Sequence, residues 1–443
     1  MIGLLVLTSN SCKKDYLNAI PDRSRAIPTT LADLRALLDN SSIINIRAGF
    51  GMAEMSTDDY YVTQEGWNAL SRPEQQNIYT WAEDIYGNVE GILDWNAPYK
   101  RILYCNLVLE YLEKIREPYD LREFNDIKAS ALFIRAWAFW ELYQSFGALY
   151  DPATWDAAWG VPLRLSSTIT LPTTRNTVKE TLTQIENDLK ESLSLFADRP
   201  QVKTRPSKAA ALALLSRYYL FMENYPQAER MASESLNLQS DLLDYASLST
   251  TVDYPFGRFN KEVIFHTNMS IYAILAPVYL YVSKDLVALY GQDDLRKNLL
   301  LKDIEGGFRY RGSYDGSDAF FAGLAVDEVW LNKIEALAQQ GKLNEATLAF
   351  KLFSKSRYKK EQDLPSDRIS LLAYLRDERR RELSFRGIRW MDLKRYNRHK
   401  DTEVALNRSI DGKEFRLVPN SKSYVFPIPN EVIRITGIPQ NEP

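Results

Sequence analysis

The chain has 443 residues, 45% of them apolar and 26% charged, which is the composition of a globular protein and excludes a disordered chain. A formal net charge of −3 gives no basic field for nucleic acid. Two histidines and two cysteines exclude an internal disulfide framework and argue against a His/Cys zinc site, so we expect neither a metal nor a cofactor.

The amino terminus resembles the end of a bacterial lipoprotein signal. An apolar run from Ile2 to Leu7 is too short to span a membrane and is followed by small polar residues and Cys12. No Lys or Arg precedes the run, although a signal peptide should carry one there. We predict a signal at residues 1–11, which is incomplete if translation starts upstream, and lipid attachment at Cys12. An irregular start on a soluble protein is the alternative.

Helical periodicity dominates the region from Trp95 to Glu223. Apolar residues recur there at i, i+3 and i+4, as on one face of a helix. Thr177 and Glu180, three residues apart, predict a capping box. Low glycine and proline contents, 19 residues each, also favour helix. The predicted helices are residues 95–115, 124–146, 177–196 and 207–223.

Two helix–turn–helix segments resemble one another. Each places a large apolar residue, Tyr225 or Leu343, three positions before an alanine, Ala228 or Ala346. An alanine at that point lets two helices approach closely. The pattern resembles a tetratricopeptide hairpin, but the copies are separated by far more than one repeat of about 34 residues. We therefore predict an interrupted array.

The interruption, residues 240–323, and an earlier segment, residues 47–86, are rich in turn signals and aromatic residues. Two short strands are predicted at 262–266 and 308–310. Near the carboxyl end, residues 424–429 are too rich in proline for a helix.

Motifs along the whole chain resemble those of the SusD/RagB lipoproteins of Bacteroidetes. The resemblance is strongest over residues 379–395, where Arg386 departs from the family by standing where an acid is usual. The other matching segments are 12–17, Trp95 to Asn106, 135–147, 160–163, 294–296, 426–429 and 440–441.

The resemblance implies a mainly α SusD-like fold with tetratricopeptide-like hairpins as scaffold. A single domain would span 12–443, with the scaffold at about 95–238 and 325–398 and ligand-side loops at about 47–86 and 240–323. It also implies a lipid anchor on the outer face of the outer membrane and a SusC-like TonB-dependent transporter as partner. The ligand would be a glycan or, in some members, a peptide.

Aromatic residues in the two loop-rich segments are candidates for a glycan site. Aromatic faces cover the apolar side of a sugar ring, while Asp and Asn bond its hydroxyls. Packing against the helices is the competing interpretation for each of them, and it is favoured for Trp81 and for Trp155 and Trp159. The candidates are Asp58, Tyr60, Tyr61, Trp67, Asn68, Trp81, Tyr310 and Tyr314.

Three other functions remain open at this point. The basic stretch 376–398 has nine Lys or Arg against four acids, but interleaved acids and apolar residues favour a solvated helix packed on the protein over nucleic-acid binding. A general protein-interaction scaffold is one alternative. A glycosidase is another, although no motif singles out a catalytic residue.

Overall fold

The structure, a computed structural model, describes residues 28–116, 119–198 and 202–441. The predicted signal and Cys12 lie outside these residues. About 49% of the described residues are helical, which confirms the mainly α prediction. The helices are α1 Leu31–Leu38, α2 Ser41–Ile44, α3 Gly51–Met55, α4 Gln64–Asn68, α5 Pro73–Tyr79, α6 Leu93–Leu112, α7 Leu121–Phe146, α8 Val178–Leu195, α9 Lys208–Phe221, α10 Tyr225–Leu238, α11 Lys284–Leu289, α12 Arg296–Leu300, α13 Val326–Gln339, α14 Leu343–Ser354, α15 Arg368–Glu382, α16 Arg389–Tyr396 and α17 Asn430–Thr436.

Helices α6 to α9 confirm the four helices predicted from periodicity. The capping box is present: the Thr177 hydroxyl accepts the Glu180 N–H, and the Glu180 carboxylate accepts the Thr177 N–H. Helix α7 is buried on every side from residue 129 to its end, between α6 and α8. It is therefore the central helix rather than an amphipathic one at the surface.

The two hairpin-like segments form α9–α10 and α13–α14. Ala228 and Ala346 are buried at the starts of α10 and α14, as predicted for close helix crossings. Helix α10 also packs against α13. The array that is interrupted in sequence is therefore continuous in space.

Four antiparallel strand pairs lie outside this scaffold, and two of them include the predicted strands. Pair β1–β3 joins the two loop-rich segments to one another, with Tyr61 opposite Tyr281. Three short helices, α3 to α5, lie in the 47–86 segment, where the sequence predicted few. The pairs are β1 Tyr60–Val62 with β3 Leu280–Val282, β2 Val263–Phe265 with β6 Leu324–Ala325, β4 Leu301–Ile304 with β5 Gly307–Tyr310, and β7 Leu406–Ile410 with β8 Lys413–Leu417.

The basic stretch 376–398 forms α15, a turn and α16. It packs on the protein as predicted, but the expectation of a solvated helix is wrong, because most of its arginines are buried against carboxylates. Arg379 Nε lies 2.7 Å from Asp392 Oδ2. Arg386, the departure from the family pattern, pairs with Asp327 at 2.5 Å. These side chains cannot face a nucleic acid.

None of the helices within the described ranges has the length and apolar character needed to cross a bilayer.

The turn between α15 and α16 depends on Gly387. Its φ is +72°, and a Cβ added there would lie 2.6 Å from the Cβ of Phe50. Gly341 has a similar φ of +77° but open space around it. A side chain at position 341 would therefore introduce backbone strain alone, whereas a side chain at position 387 would introduce both backbone strain and steric overlap with Phe50.

We expect Gly341→Ala to lower the free energy of unfolding by about 1 kcal/mol, the cost of a left-handed alanine. Gly387→Ala should cost a further ~1–3 kcal/mol, because Phe50 must move. Denaturant unfolding followed by circular dichroism measures both. Equal losses in the two variants would show that Phe50 is not tightly held.

Candidate functional site

A partly exposed, stacked aromatic pair in the loop-rich segments lies on the β1–β3 ladder. Tyr61 and Tyr281 are directly opposite each other, and their rings stack at 5.5 Å with an interplanar angle of 27°. Alternation along each strand buries the neighbours of both residues and leaves these two rings partly exposed. The ladder therefore presents an aromatic face to solvent.

One further aromatic residue extends this face. Tyr279 precedes Tyr281 by two residues and lies against Gly66, where an added Cβ would be 3.2 Å from its ring. Trp67, the residue after Gly66, is partly buried, and its ring contacts the buried Tyr79 at 5.5 Å, on the side of β1 that Tyr60 occupies. We call Tyr61, Tyr279 and Tyr281 the aromatic ledge.

A glycine turn keeps one edge of the ledge uncovered. The Tyr61 hydroxyl donates to the Gly306 carbonyl at 3.3 Å. Both Gly306 and Gly307 have positive φ, and a Cβ at Gly307 would lie 3.0 Å from the Tyr61 hydroxyl oxygen. Any side chain at position 307 would crowd this ring.

Polar groups lie beside the ledge on α4. Asn68 is exposed, and its side-chain oxygen accepts from Gln64 Nε2 at 3.1 Å. The side-chain oxygen of Gln64, Oε1, in turn accepts the main-chain N–H of Asp411 at 2.7 Å. Aromatic rings beside carboxamides suit the stacking and hydroxyl bonding of a sugar.

Asp58 does not offer a free carboxylate, which corrects its prediction as a ligand contact. Arg389 Nε and Nη2 donate to its two oxygens at 2.9 Å, and Arg380 lies within 3.1 Å. Burial raises the pKa of Asp58, but the Arg389 and Arg380 guanidiniums outweigh that effect and hold it well below its usual value. Asp58 instead ties the start of β1 to α15 and α16.

Four predicted stacking residues are buried, so their rings have no free face for a ligand. Tyr60 and Trp81 pack around the Arg408 guanidinium, whose carbon lies 5.4 and 4.6 Å from their ring centres. Tyr310 packs on Phe385 at 4.4 Å. The predicted stacking role is therefore wrong for Tyr60, Trp81, Tyr310 and Tyr314, and the packing interpretation is correct.

Tyr314 shows why these residues are buried. Its hydroxyl donates to Glu262 at 2.8 Å and lies 2.8 Å from the Tyr245 hydroxyl. Glu262 lies close to Asp327 and Glu382 in the only carboxylate group of metal-binding dimensions within the described ranges. Arg357 bonds Glu262 and Glu382, and Arg386 pairs with Asp327. The arginines neutralise this group, so it does not fit a cation.

Of the two tryptophans before Gly160, Trp155 fits the packing interpretation and Trp159 does not. Trp159 is 42% exposed, and Trp155 is partly buried against Tyr150 at 5.7 Å. Neither belongs to the aromatic ledge.

Sequence reasoning missed Tyr279 and Tyr281. The alternation of Val278, Tyr279, Leu280, Tyr281 and Val282 was the available signal, since it is typical of a half-buried strand.

Comparison with known proteins supports the fold. Residues 15–220 match the SusD-like family model described as starch-binding and associating with the outer membrane. No curated protein matches the sequence at a significant level.

Several solved structures share the fold over nearly the whole chain. A SusD superfamily protein from Bacteroides thetaiotaomicron is 22% identical with a TM-score of 0.74, covering 94% of this chain and 100% of its own. A SusD-like carbohydrate binding protein from Bacteroides vulgatus is 17% identical with a TM-score of 0.68, covering 93% and 97%. A surface glycan-binding protein A from Bacteroides fluxus is 16% identical with a TM-score of 0.70, covering 94% and 99%.

Glu54 on α3 is a buried acid next to β1. Its Oε2 accepts the Gly387 N–H at 3.0 Å, and its Oε1 has no partner among the described residues. Burial, reinforced by the nearby Asp59 carboxylate, raises the pKa of Glu54 to about 8. Glu54 is therefore protonated at neutral pH in the folded protein and ionised in the unfolded chain.

A carboxyl whose pKa is raised by folding stabilises the protein below its unfolded pKa, and this stabilisation is lost as the pH rises through the folded pKa. As the pH rises from 5 to 8, we expect the free energy of unfolding of the wild type to fall relative to that of Glu54→Gln, by up to about 1.4 kcal/mol per pH unit. Chemical denaturation at several pH values measures the difference. Exposed Glu65→Gln is the control, and a pH-independent difference for Glu54→Gln would contradict the raised pKa.

Proposed function

We propose that this chain captures a glycan at the cell surface, as its match to the SusD-like family model over residues 15–220 and the fold that it shares with SusD superfamily structures suggest. The captured oligo- or polysaccharide would pass to a SusC-like TonB-dependent outer membrane transporter. The protein would bind and release its cargo without breaking a bond.

The aromatic ledge is the observation that carries this proposal. Tyr61 and Tyr281 form a continuous stacked surface, and Tyr279 extends it. Stacking against sugar rings needs such a surface, and Asn68 at its edge supplies hydroxyl-bonding atoms. Two related structures described as a carbohydrate binding protein and a surface glycan-binding protein support the same ligand class.

The proposed organisation assigns different roles to the two parts of the chain. In a single domain over residues 12–443, the helices at about 95–238 and 325–398 are the scaffold. The segments at about 47–86 and 240–323 carry the ligand side, and pair β1–β3 links them beneath the ledge. Lipid on Cys12 would hold the domain on the outer face of the outer membrane.

A glycan panel tests the ledge. Tyr61→Ala and Tyr281→Ala should each weaken binding of the recognised oligosaccharide by about 0.5–1.5 kcal/mol, because each removes a stacking ring. Isothermal titration calorimetry against glycans and peptides measures the affinities. Tyr119→Ala is the matched control, since Tyr119 is 45% exposed before α7 and away from the ledge.

The outcomes separate the competing functions. Unchanged glycan affinity in both ledge variants would show that the ledge is not the binding surface. Binding of peptides alone would favour a peptide-binding member of the family, and co-purification with a partner other than a TonB-dependent barrel would favour an interaction scaffold. Release of cleaved product would identify a glycosidase.

Lipid attachment has its own test. In a Bacteroidetes host, the protein expressed from its native gene should incorporate labelled palmitate, and Cys12→Ala should abolish the label because the modified thiol is absent. Cys105→Ala is the control, since Cys105 is a buried free cysteine in α6. Label that persists in Cys12→Ala would exclude this anchor.

A further inference from the structure

A cavity of about 560 Å³ lies where α7, α9 and α16 end, next to residues 148–152. Its volume is in the range of small-ligand sites. None of its lining residues belongs to the aromatic ledge. The cavity is therefore separate from the surface of the proposed function.

Lys394 in the wall is a buried cation without a carboxylate. It is 6% exposed, its ammonium donates to the main-chain carbonyl of Gln144, and no carboxylate among the described residues forms an ion pair with it. Burial alone lowers the pKa of Lys394 to about 7. A buried charge is costly unless an opposite charge compensates it.

Lys394 differs from the buried arginines near it in the sequence. Each of these arginines lies in the basic stretch 376–398 and forms an ion pair with an acidic residue of the protein. The pairs are Arg379 with Asp392, Arg381 with Glu378, Arg386 with Asp327, Arg389 with Asp58 and Arg395 with Glu335.

Gln144 supplies a second group without a partner. It lines the same cavity and is 2% exposed, and neither atom of its carboxamide has a hydrogen-bond partner among the described residues. Buried carboxamides are normally bonded. Two uncompensated polar side chains in one wall indicate that a polar ligand belongs there.

Aromatic rings and two acids, Asp151 and Glu223, complete the wall. Tyr150 and Phe221 lie 6.0 Å apart, and the Arg398 guanidinium lies over both rings. Glu223 is engaged by His399 at 2.8 Å and by Arg398 at 3.6 Å, so it does not compensate Lys394.

We propose that this cavity is a second binding site, which takes the carboxylate of a small acidic ligand about the size of a monosaccharide. The carboxylate would pair with the Lys394 ammonium, and the hydroxyl-bearing ring would lie along the partly exposed Tyr150. A sugar acid and a simple organic acid share this chemistry. The inference does not depend on glycan binding at the ledge.

Calorimetric titration with glucuronate, glucose and acetate tests the site at pH 6.5. Glucuronate should bind, and glucose should bind at least about tenfold more weakly, because the charge-assisted hydrogen bond is lost. Lys394→Met should lower the glucuronate affinity by about tenfold or more for the same reason. Acetate binding as tight as that of glucuronate would identify a general carboxylate site, which also supports the proposal.

Two controls keep the result interpretable. Exposed Lys351→Met and exposed Tyr119→Ala should both retain glucuronate affinity. If Lys394→Met does not fold by circular dichroism, Tyr150→Ala serves instead, and it should weaken glucuronate binding by removing a wall of the cavity. Equal affinities for glucuronate and glucose, unchanged affinity in a folded Lys394→Met, or no glucuronate binding at millimolar concentration would each overturn the proposal.

Discussion

Buried pairs of arginine and carboxylate hold the loop-rich segments of this protein to its helices. Arg296 bonds Asp294, Glu378 and Glu382 at 2.7–2.8 Å, and its side chain is fully buried. Arg357 bonds Glu382 and Glu262, so the same carboxylate joins both arginines. Removing one partner from such a pair costs about 3–5 kcal/mol, because it leaves a buried charge uncompensated. The 240–323 segment therefore has little freedom to move relative to α15.

The position of the ledge follows from a second group of such pairs. Arg380 and Arg389, on α15 and α16, bond Asp58 and Asp59 immediately before β1. Strand β1 then pairs with β3 and sets Tyr61 against Tyr281. A stacking surface made of short strands and loops is rigid only if its backbone is held, and these charges hold it. Functional residues on loops carried by a rigid scaffold are a common arrangement in proteins.

The two proposed sites use different physical chemistry. The ledge is a partly exposed aromatic surface, which suits long ligands with repeated apolar faces. The cavity beside α16 encloses Lys394, a buried cation that has no acidic partner among the described residues. Its affinity would come from charge and enclosure rather than from stacking alone.

The sequence by itself determined the helices, the capping box at Thr177, the two matching hairpins and the family resemblance, because these depend on residues near one another in the chain. It also marked the loop-rich segments. Which aromatic residues stay exposed was decided by tertiary structure: Tyr310 ends strand β5 and Tyr314 lies in the glycine-rich turn after it, yet they face Phe385 and Glu262. The side-by-side packing of α10 and α13, and the lack of an acid near Lys394 among the described residues, likewise depend on residues distant in sequence. Local periodicity reports which face of an element is apolar, but only the assembled fold determines what covers that face.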